Sequence, residues 1–165
     1  MKTSLSNFAV LRIQAFLKKR SENSLLTMTI EQFRESPILG YVFDPNLKNE
    51  ANANNPESIT LGPKFFDLDA EGRKHVISHE KAHYLVDEVL SSPDKYSLLF
   101  DLVDSGAFGP KDDQGFLSSG INGQYTPLEN LTEAFSVYDE DPDWLKENYP
   151  GAFSFVYSIK KENDI

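Results

Sequence analysis

A histidine pair inside one long helical pattern constrains this chain more than any other feature of its sequence. The pattern begins after Asp69, a predicted N-cap, and continues to Leu90, with Pro93 beyond its end. Within it lie His79 and His83, four residues apart, so both imidazoles leave the same face of the helix about one turn apart. Two imidazoles with this spacing can share one tetrahedral zinc ion. The spacing therefore predicts a metal centre built on a helix.

Glu80 directly follows the first of these histidines and lies about 100° further round the helix. Its carboxylate is too far round to complete the same ligand set easily, yet close enough to take a proton from a coordinated water. Because zinc lowers the pKa of such a water to about 7, Glu80 is the expected general base. A chance His-Glu-x-x-His match arises on the order of once in a few hundred chains of this composition. The plain alternative is a helix whose histidines lie on a solvated face.

A catalytic zinc site needs a third protein ligand beside an open position. The chain has no cysteine, and its histidines are His75, His79 and His83, so a ligand from another element has to be a carboxylate. Glu129 and Glu133 lie four residues apart on a second predicted helix. We expect Glu129 to bind zinc and Glu133 to accept the N–H of a ligand histidine, which fixes its tautomer. Two alternatives stay open: Glu133 binds the metal, or both residues are exposed helix formers.

The charge balance narrows the classes of partner. Lys and Arg total 16 and Asp and Glu total 26, which gives a net charge of −10. Such a charge repels phosphate backbones and anionic lipid, so we expect neither a nucleic acid nor a membrane surface as a partner. The absence of cysteine excludes disulfides, thiolate metal sites and cysteine nucleophiles.

The first twenty residues give no convincing secretion signal, because Arg12 and Gln14 interrupt their apolar stretch. No apolar run approaches the roughly 20 residues that a membrane span needs. We therefore expect a cytoplasmic protein, with signal-less export or delivery into another cell as the alternative.

Local signals elsewhere predict a mainly helical chain with a small sheet. Ser58–Leu61 is the best strand candidate, and we place it at a sheet edge because Pro63 cannot donate to a ladder. The Asn-rich segment Asp44–Glu57 reads as an exposed loop, and a mobile loop is expected over residues 106–124. A second strand is expected at Tyr41–Phe43. Further helices are predicted over residues 6–20, from Thr29 to before Pro37, 95–103, 127–138, 141–148 and 150–161.

At this point the sequence resembles a zinc metalloprotease of the gluzincin type, most closely the catalytic domain of the anthrax lethal factor family and the related Pro-Pro endopeptidases. The resemblance spans about residues 58 to 161. It rests on four stretches: Ile59-Thr60-Leu61-Gly62-Pro63-Lys64-Phe65-Phe66, His79-Glu80-Lys81-Ala82-His83, Glu129-Asn130-Leu131-Thr132-Glu133-Ala134-Phe135, and the tail of Pro142 to Lys146 with Pro150 to Val156.

The resemblance implies roles for single residues. His79, His83 and Glu129 match the zinc ligands of that family, and Glu80 matches its catalytic base. Glu133 matches an acidic residue one helical turn after the ligand glutamate. The family also has a tyrosine that stabilises the tetrahedral oxyanion. Tyr125, four residues before the ligand glutamate and nearer than the usual spacing, is the closest candidate, with packing of the loop as its alternative role.

Together these observations predict an α+β fold of the zincin type, with the active-site helix beneath an edge strand near Ser58–Leu61 and with C-terminal helices. We expect a single domain over residues 1–165, with N-terminal helices and a loop in 1–57 and the metalloprotease core in 58–161. The expected activity is that of a zinc-dependent endopeptidase with one zinc ion per chain. Its peptide substrate would add to the sheet edge as an extended strand, and the 106–124 loop would act as a lid. The alternative is a catalytically silent zincin-fold binding module, or a toxin-type effector domain with a single specific protein partner.

Overall fold

The computed structural model describes residues 22–55, 58–90, 93–108 and 127–163, and these residues form a mostly helical α+β chain with a small three-stranded sheet. After helical residues 22–25, the elements in chain order are α1 (Ile30–Glu35), β1 (Tyr41–Phe43), β2 (Ala51–Asn55), β3 (Ser58–Leu61), α2 (Pro63–Asp67), α3 (Ala70–Leu90), α4 (Pro93–Asp104), α5 (Pro127–Glu140), α6 (Pro142–Asn148) and α7 (Pro150–Asn163). The helix expected over residues 6–20 and most of the 106–124 loop lie outside the described residues.

The chain divides into two compact units, Met1–Val76 and Ile77–Ile165. The division falls inside α3. The three strands belong to the first unit, and helices α4 to α7 belong to the second. In the part of the chain that the structure describes, no helix is both long and apolar enough to cross a membrane.

Strand β3 lies in the centre of the sheet, so the prediction that Ser58–Leu61 forms an edge is wrong. The strand order is β1-β3-β2, with β1 parallel and β2 antiparallel to β3. Pro63 misled the prediction because it lies beyond the strand, at the start of α2, where a missing N–H removes no ladder bond. Since both sides of β3 are paired, a peptide cannot add to this strand.

The Asn-rich segment is not wholly a loop, because β2 forms within it. Ala51 is buried and lies opposite Leu61 of β3, and Asn52 lies opposite Thr60. Asparagine is a poor strand former, so the sequence alone favoured a loop. Pairing with the central strand, whose Ile59 and Leu61 are buried, outweighs that preference here.

Gly62 makes room for the chain that leads into β2. A Cβ atom at this position would collide with the backbone carbonyl oxygen of Asn49. The Gly62 N–H also donates to the carbonyl oxygen of Glu50 at 2.8 Å. The end of β3 and the segment before β2 therefore approach more closely than any other residue would allow.

Arg73 of α3 is a buried cation that links two stretches of backbone in the first unit, residues 25–28 and 66–68. Only 7% of the residue is exposed. Its guanidinium donates to four backbone carbonyl oxygens, those of Leu25 at 3.0 Å, Met28 at 2.7 Å, Phe66 at 2.6 Å and Leu68 at 3.0 Å. Burial lowers the pKa of Arg73, and the charge of Asp67 acts in the opposite direction. The planar fork of donors is thus used to order the backbone.

Helix α5 is the most deeply buried helix segment described in the second unit. Seven consecutive residues, 130 to 136, are buried, so its middle has neighbours on every side. Pro127 stands at its first position, as the sequence predicted, where the missing N–H breaks no helical bond. The surrounding core is apolar and contains the fully buried residues Leu99, Phe108, Leu131, Phe135, Leu145 and Val156. Polar side chains on α5 are therefore held in fixed positions.

Candidate metal centre

The two histidines of the motif leave α3 side by side. The ring centroids of His79 and His83 are 4.9 Å apart, and the ring planes are nearly perpendicular, at 84°. Their side chains are 24% and 30% exposed, which leaves both rings within reach of an ion from solvent. Helical spacing alone produces this pairing, as the sequence predicted.

Helix α5 presents three polar side chains to these rings. Glu129, Thr132 and Glu133 stand at positions i, i+3 and i+4, which share one face of a helix. The side chain of Glu129 is 39% exposed, whereas that of Glu133 is 7% exposed. The helix therefore offers one carboxylate at the solvent side of the site and a second one in the interior.

His79 contacts both carboxylates. Its Nδ1 lies 2.6 Å from Oε2 of Glu133, and its Nε2 lies 3.4 Å from Oε2 of Glu129. Burial alone would lower the pKa of His79, but the hydrogen bonds with Glu129 and Glu133 outweigh it and raise this pKa from 6.5 to about 9. The hydrogen bond from His79 in turn lowers the pKa of Glu129. His79 therefore lies in a tight cluster with two carboxylates.

His83 has a different pair of neighbours. Its Nε2 lies 3.9 Å from the same Oε2 of Glu129, and its Nδ1 lies 3.4 Å from the hydroxyl oxygen of Thr132. Each imidazole therefore directs its Nδ1 at a buried side chain of α5, Glu133 for His79 and Thr132 for His83. Both Nε2 atoms face one oxygen of Glu129.

These distances can be compared with what a zinc ion requires. Zinc bonds of 2.0–2.2 Å in a tetrahedron place neighbouring N and O ligands about 3.4 Å apart. The separation between Glu129 Oε2 and His79 Nε2 has this value, 3.4 Å, and the separation from His83 Nε2 is somewhat longer, 3.9 Å. The donor set of two neutral imidazoles and one carboxylate is typical of a catalytic zinc site with an open position. Two of the three separations among these donor atoms are therefore close to those of a tetrahedral zinc site.

Glu80 lies beside the same position. Ligand atoms of His79, Glu80 and His83 all come within 4.8 Å of one another. The charge of Glu80 also acts on its surroundings, because it is one cause of the raised pKa of His79 and, after burial, of the raised pKa of Tyr84. By distance alone Glu80 could join the two histidines as a metal ligand, although its position round the helix led us to expect it outside the ligand set. A carboxylate this close can also exchange a proton with a molecule bound between the imidazoles.

Two residues stand apart from the others of the predicted and observed site. Tyr125, the candidate for stabilising an oxyanion, lies outside the described residues. Thr132 was absent from the predicted site, yet its hydroxyl contacts His83. The signal that could have revealed it is positional, since a residue three places after Glu129 shares the face of the helix that carries Glu133.

Comparison with known proteins adds no relative to this description. No family model matches the sequence, and neither a curated protein nor a solved structure matches it. The functional interpretation of the site therefore depends on its own residues and on the geometry given above.

Proposed function

We propose that this chain is a zinc-dependent endopeptidase of the gluzincin type, with a zincin-like fold. In this proposal His79, His83 and Glu129 hold the ion, and Glu80 is the general base. One observation carries the proposal: a single oxygen of Glu129 faces the Nε2 atoms of both histidines, at 3.4 Å and 3.9 Å. The resemblance to the lethal factor and Pro-Pro endopeptidase families supports the same assignment.

Glu133 and Glu129 have different roles in this proposal. Glu133 accepts the N–H of His79 Nδ1 at 2.6 Å, so the lone pair on Nε2 is left for the ion. A hydrogen-bonded carboxylate also makes the imidazole a stronger ligand. Glu129 is more exposed, as expected for a ligand at the mouth of a site that has to admit a substrate.

The chemistry is hydrolysis of a peptide bond. Zinc, when bound, supplies a Lewis acid that polarises the scissile carbonyl and makes water easier to deprotonate. Glu80 takes a proton from the attacking water while the oxygen of that water adds to the carbonyl carbon. Glu80 then delivers this proton to the amide nitrogen as the C–N bond breaks. The products are a new carboxyl terminus and a new amino terminus.

The decisive variant is Glu80→Gln, which keeps the size of the side chain and removes its basicity. We expect the variant to keep one zinc ion per chain and to lose at least about 100-fold in turnover, the low end of what a general base contributes. Elemental analysis measures the metal, and mass spectrometry of a diverse peptide mixture measures the new termini.

Glu71→Gln is the matched control, because Glu71 lies in the first turn of the same helix and is exposed. It should leave both zinc content and turnover unchanged. If the Glu80→Gln variant cleaved peptides as fast as the parent chain, the assignment of the base would be wrong. If the parent bound zinc but cleaved no peptide and no protein, the silent binding module would be the better description.

A further inference from the structure

We infer that Thr132 is a positioning residue for His83: its hydroxyl accepts the N–H of Nδ1 and thereby keeps Nε2 directed at the ion. The inference rests on the proposed zinc function. It adds a residue of the chain that neither the motif nor the resemblance assigns. Thr132 touches neither the ion nor a substrate, so its role is exercised entirely through the imidazole.

The first support is the burial of the hydroxyl. Thr132 is fully buried, at 0% exposure, in the middle of α5. A buried hydroxyl without a hydrogen bond is costly, and the Nδ1 atom of His83 lies 3.4 Å from it. Because threonine is branched at Cβ, a helix restricts its side chain to about two rotamers, so the hydroxyl oxygen has few directions open to it.

The second support is the parallel with Glu133. The two histidines are four residues apart on α3, and their Nδ1 partners are adjacent residues on α5. An imidazole that binds metal through Nε2 carries its proton on Nδ1 and needs an acceptor there. Glu133 supplies that acceptor for His79, and Thr132 supplies it for His83.

The charge of the site explains why the second acceptor is neutral. Glu80, Glu129 and Glu133 already bring three carboxylates to the two imidazoles. A fourth carboxylate would add repulsion between like charges in a partly buried place. A hydroxyl orients the ring without adding charge, and it can also donate to Nδ1 when the proton resides on Nε2.

The test compares three single variants by their zinc affinity, measured by competition with a chromogenic chelator at fixed pH. Thr132→Val keeps the shape of the side chain and removes the hydroxyl, so we expect zinc to bind about 10 to 100-fold more weakly. Thr132→Ser restores the hydroxyl and should recover most of the affinity. Ser136→Ala is the matched control, since Ser136 is a buried hydroxyl one turn later that contacts Glu140.

A second readout separates positioning from general stability. The visible absorption of the cobalt-substituted protein reports the geometry of the ligands, and we expect Thr132→Val to change it while Ser136→Ala does not. If Thr132→Val bound zinc as tightly as the parent, or if Thr132→Ser bound it as weakly as Thr132→Val, the inference would be overturned and the proposed function would stand. A parent chain that binds no zinc would overturn both.

Discussion

Helix α3 carries a buried guanidinium in the first unit of the molecule and two imidazoles in the second. The guanidinium has neutral partners, whereas the imidazoles have carboxylates beside them. Arg73 donates only to neutral backbone carbonyl oxygens in the hydrogen bonds that the structure describes for it. His79, six residues later, contacts two carboxylates. The same helix therefore supplies one permanent cation, Arg73, that orders the backbone, and one basic group, His79, that can gain or lose a proton.

The difference lies in what each set of partners permits. Arginine stays charged, and carbonyl oxygens offer it direction without a proton to exchange. An imidazole beside carboxylates can lose its proton, and the same lone pairs can then bind a metal ion. Partial exposure, 24% for the side chain of His79 against 7% for the whole of Arg73, gives the ion a way in. We therefore expect changes at Arg73 to alter folding and changes at the imidazole cluster to alter metal binding.

The largest effect should come from Arg73→Met, which leaves four carbonyl oxygens in two separated backbone stretches, residues 25–28 and 66–68, without their donor. Each buried acceptor that loses its partner costs about 1–3 kcal/mol, so we expect the free energy of unfolding to fall by about 4 kcal/mol or more. Urea unfolding followed by circular dichroism measures the loss. Arg34→Met is the control, because Arg34 is exposed and lies over the ring of Phe43 at 4.9 Å. A control as damaging as the test would contradict the special role of Arg73.

The next effect concerns the two carboxylates of α5. Glu129→Ala removes the proposed third ligand, and we expect zinc affinity to fall by more than about 100-fold, beyond the range usual for outer partners. Glu133→Gln removes only the charge next to His79, and its expected loss is about 10 to 100-fold. Both affinities come from chelator competition, with elemental analysis for stoichiometry. Loss of zinc in the Glu133 variant alone would reverse the two assignments.

The smallest effect is the pH dependence of the metal-free protein. The pKa of His79 is raised from 6.5 to about 9 in the folded state. The stability gained from holding this proton is therefore fully present below pH 6.5 and is lost as the pH rises through 9. We expect the metal-free protein to lose about 1 to 2 kcal/mol between these values, after allowance for solvent screening. Thermal unfolding in chelator measures it, and Glu133→Gln should flatten the profile.

Much of the helical part of the fold could be predicted, because its signals are local. Thr29 and Gln32 form the capping box that their spacing indicates, and Asp69 and Asp141 accept backbone N–H groups at the starts of their helices. Such signals act over three or four residues and are visible in any sequence. Strand β2 was missed and the place of β3 was wrong because pairing depends on residues far apart in the chain.

The candidate site likewise has features that one segment of sequence predicts and features that depend on two segments. The pairing of His79 and His83 follows from one helix, and a sequence is enough to predict it. The contact between Thr132 and His83 joins two helices through a rotamer, and no single segment encodes it. Arg73 is a similar case, since its acceptors are backbone atoms, which every residue has.

The compactness of the donor set has a practical consequence. The proposed metal ligands and their supporting partners all fall within two five-residue stretches, His79–His83 and Glu129–Glu133. A designer could therefore transplant the arrangement by copying ten positions onto another pair of neighbouring helices. An added or deleted residue between Glu129 and Glu133 would rotate one of those carboxylates away, since each residue turns an α-helix by about 100°.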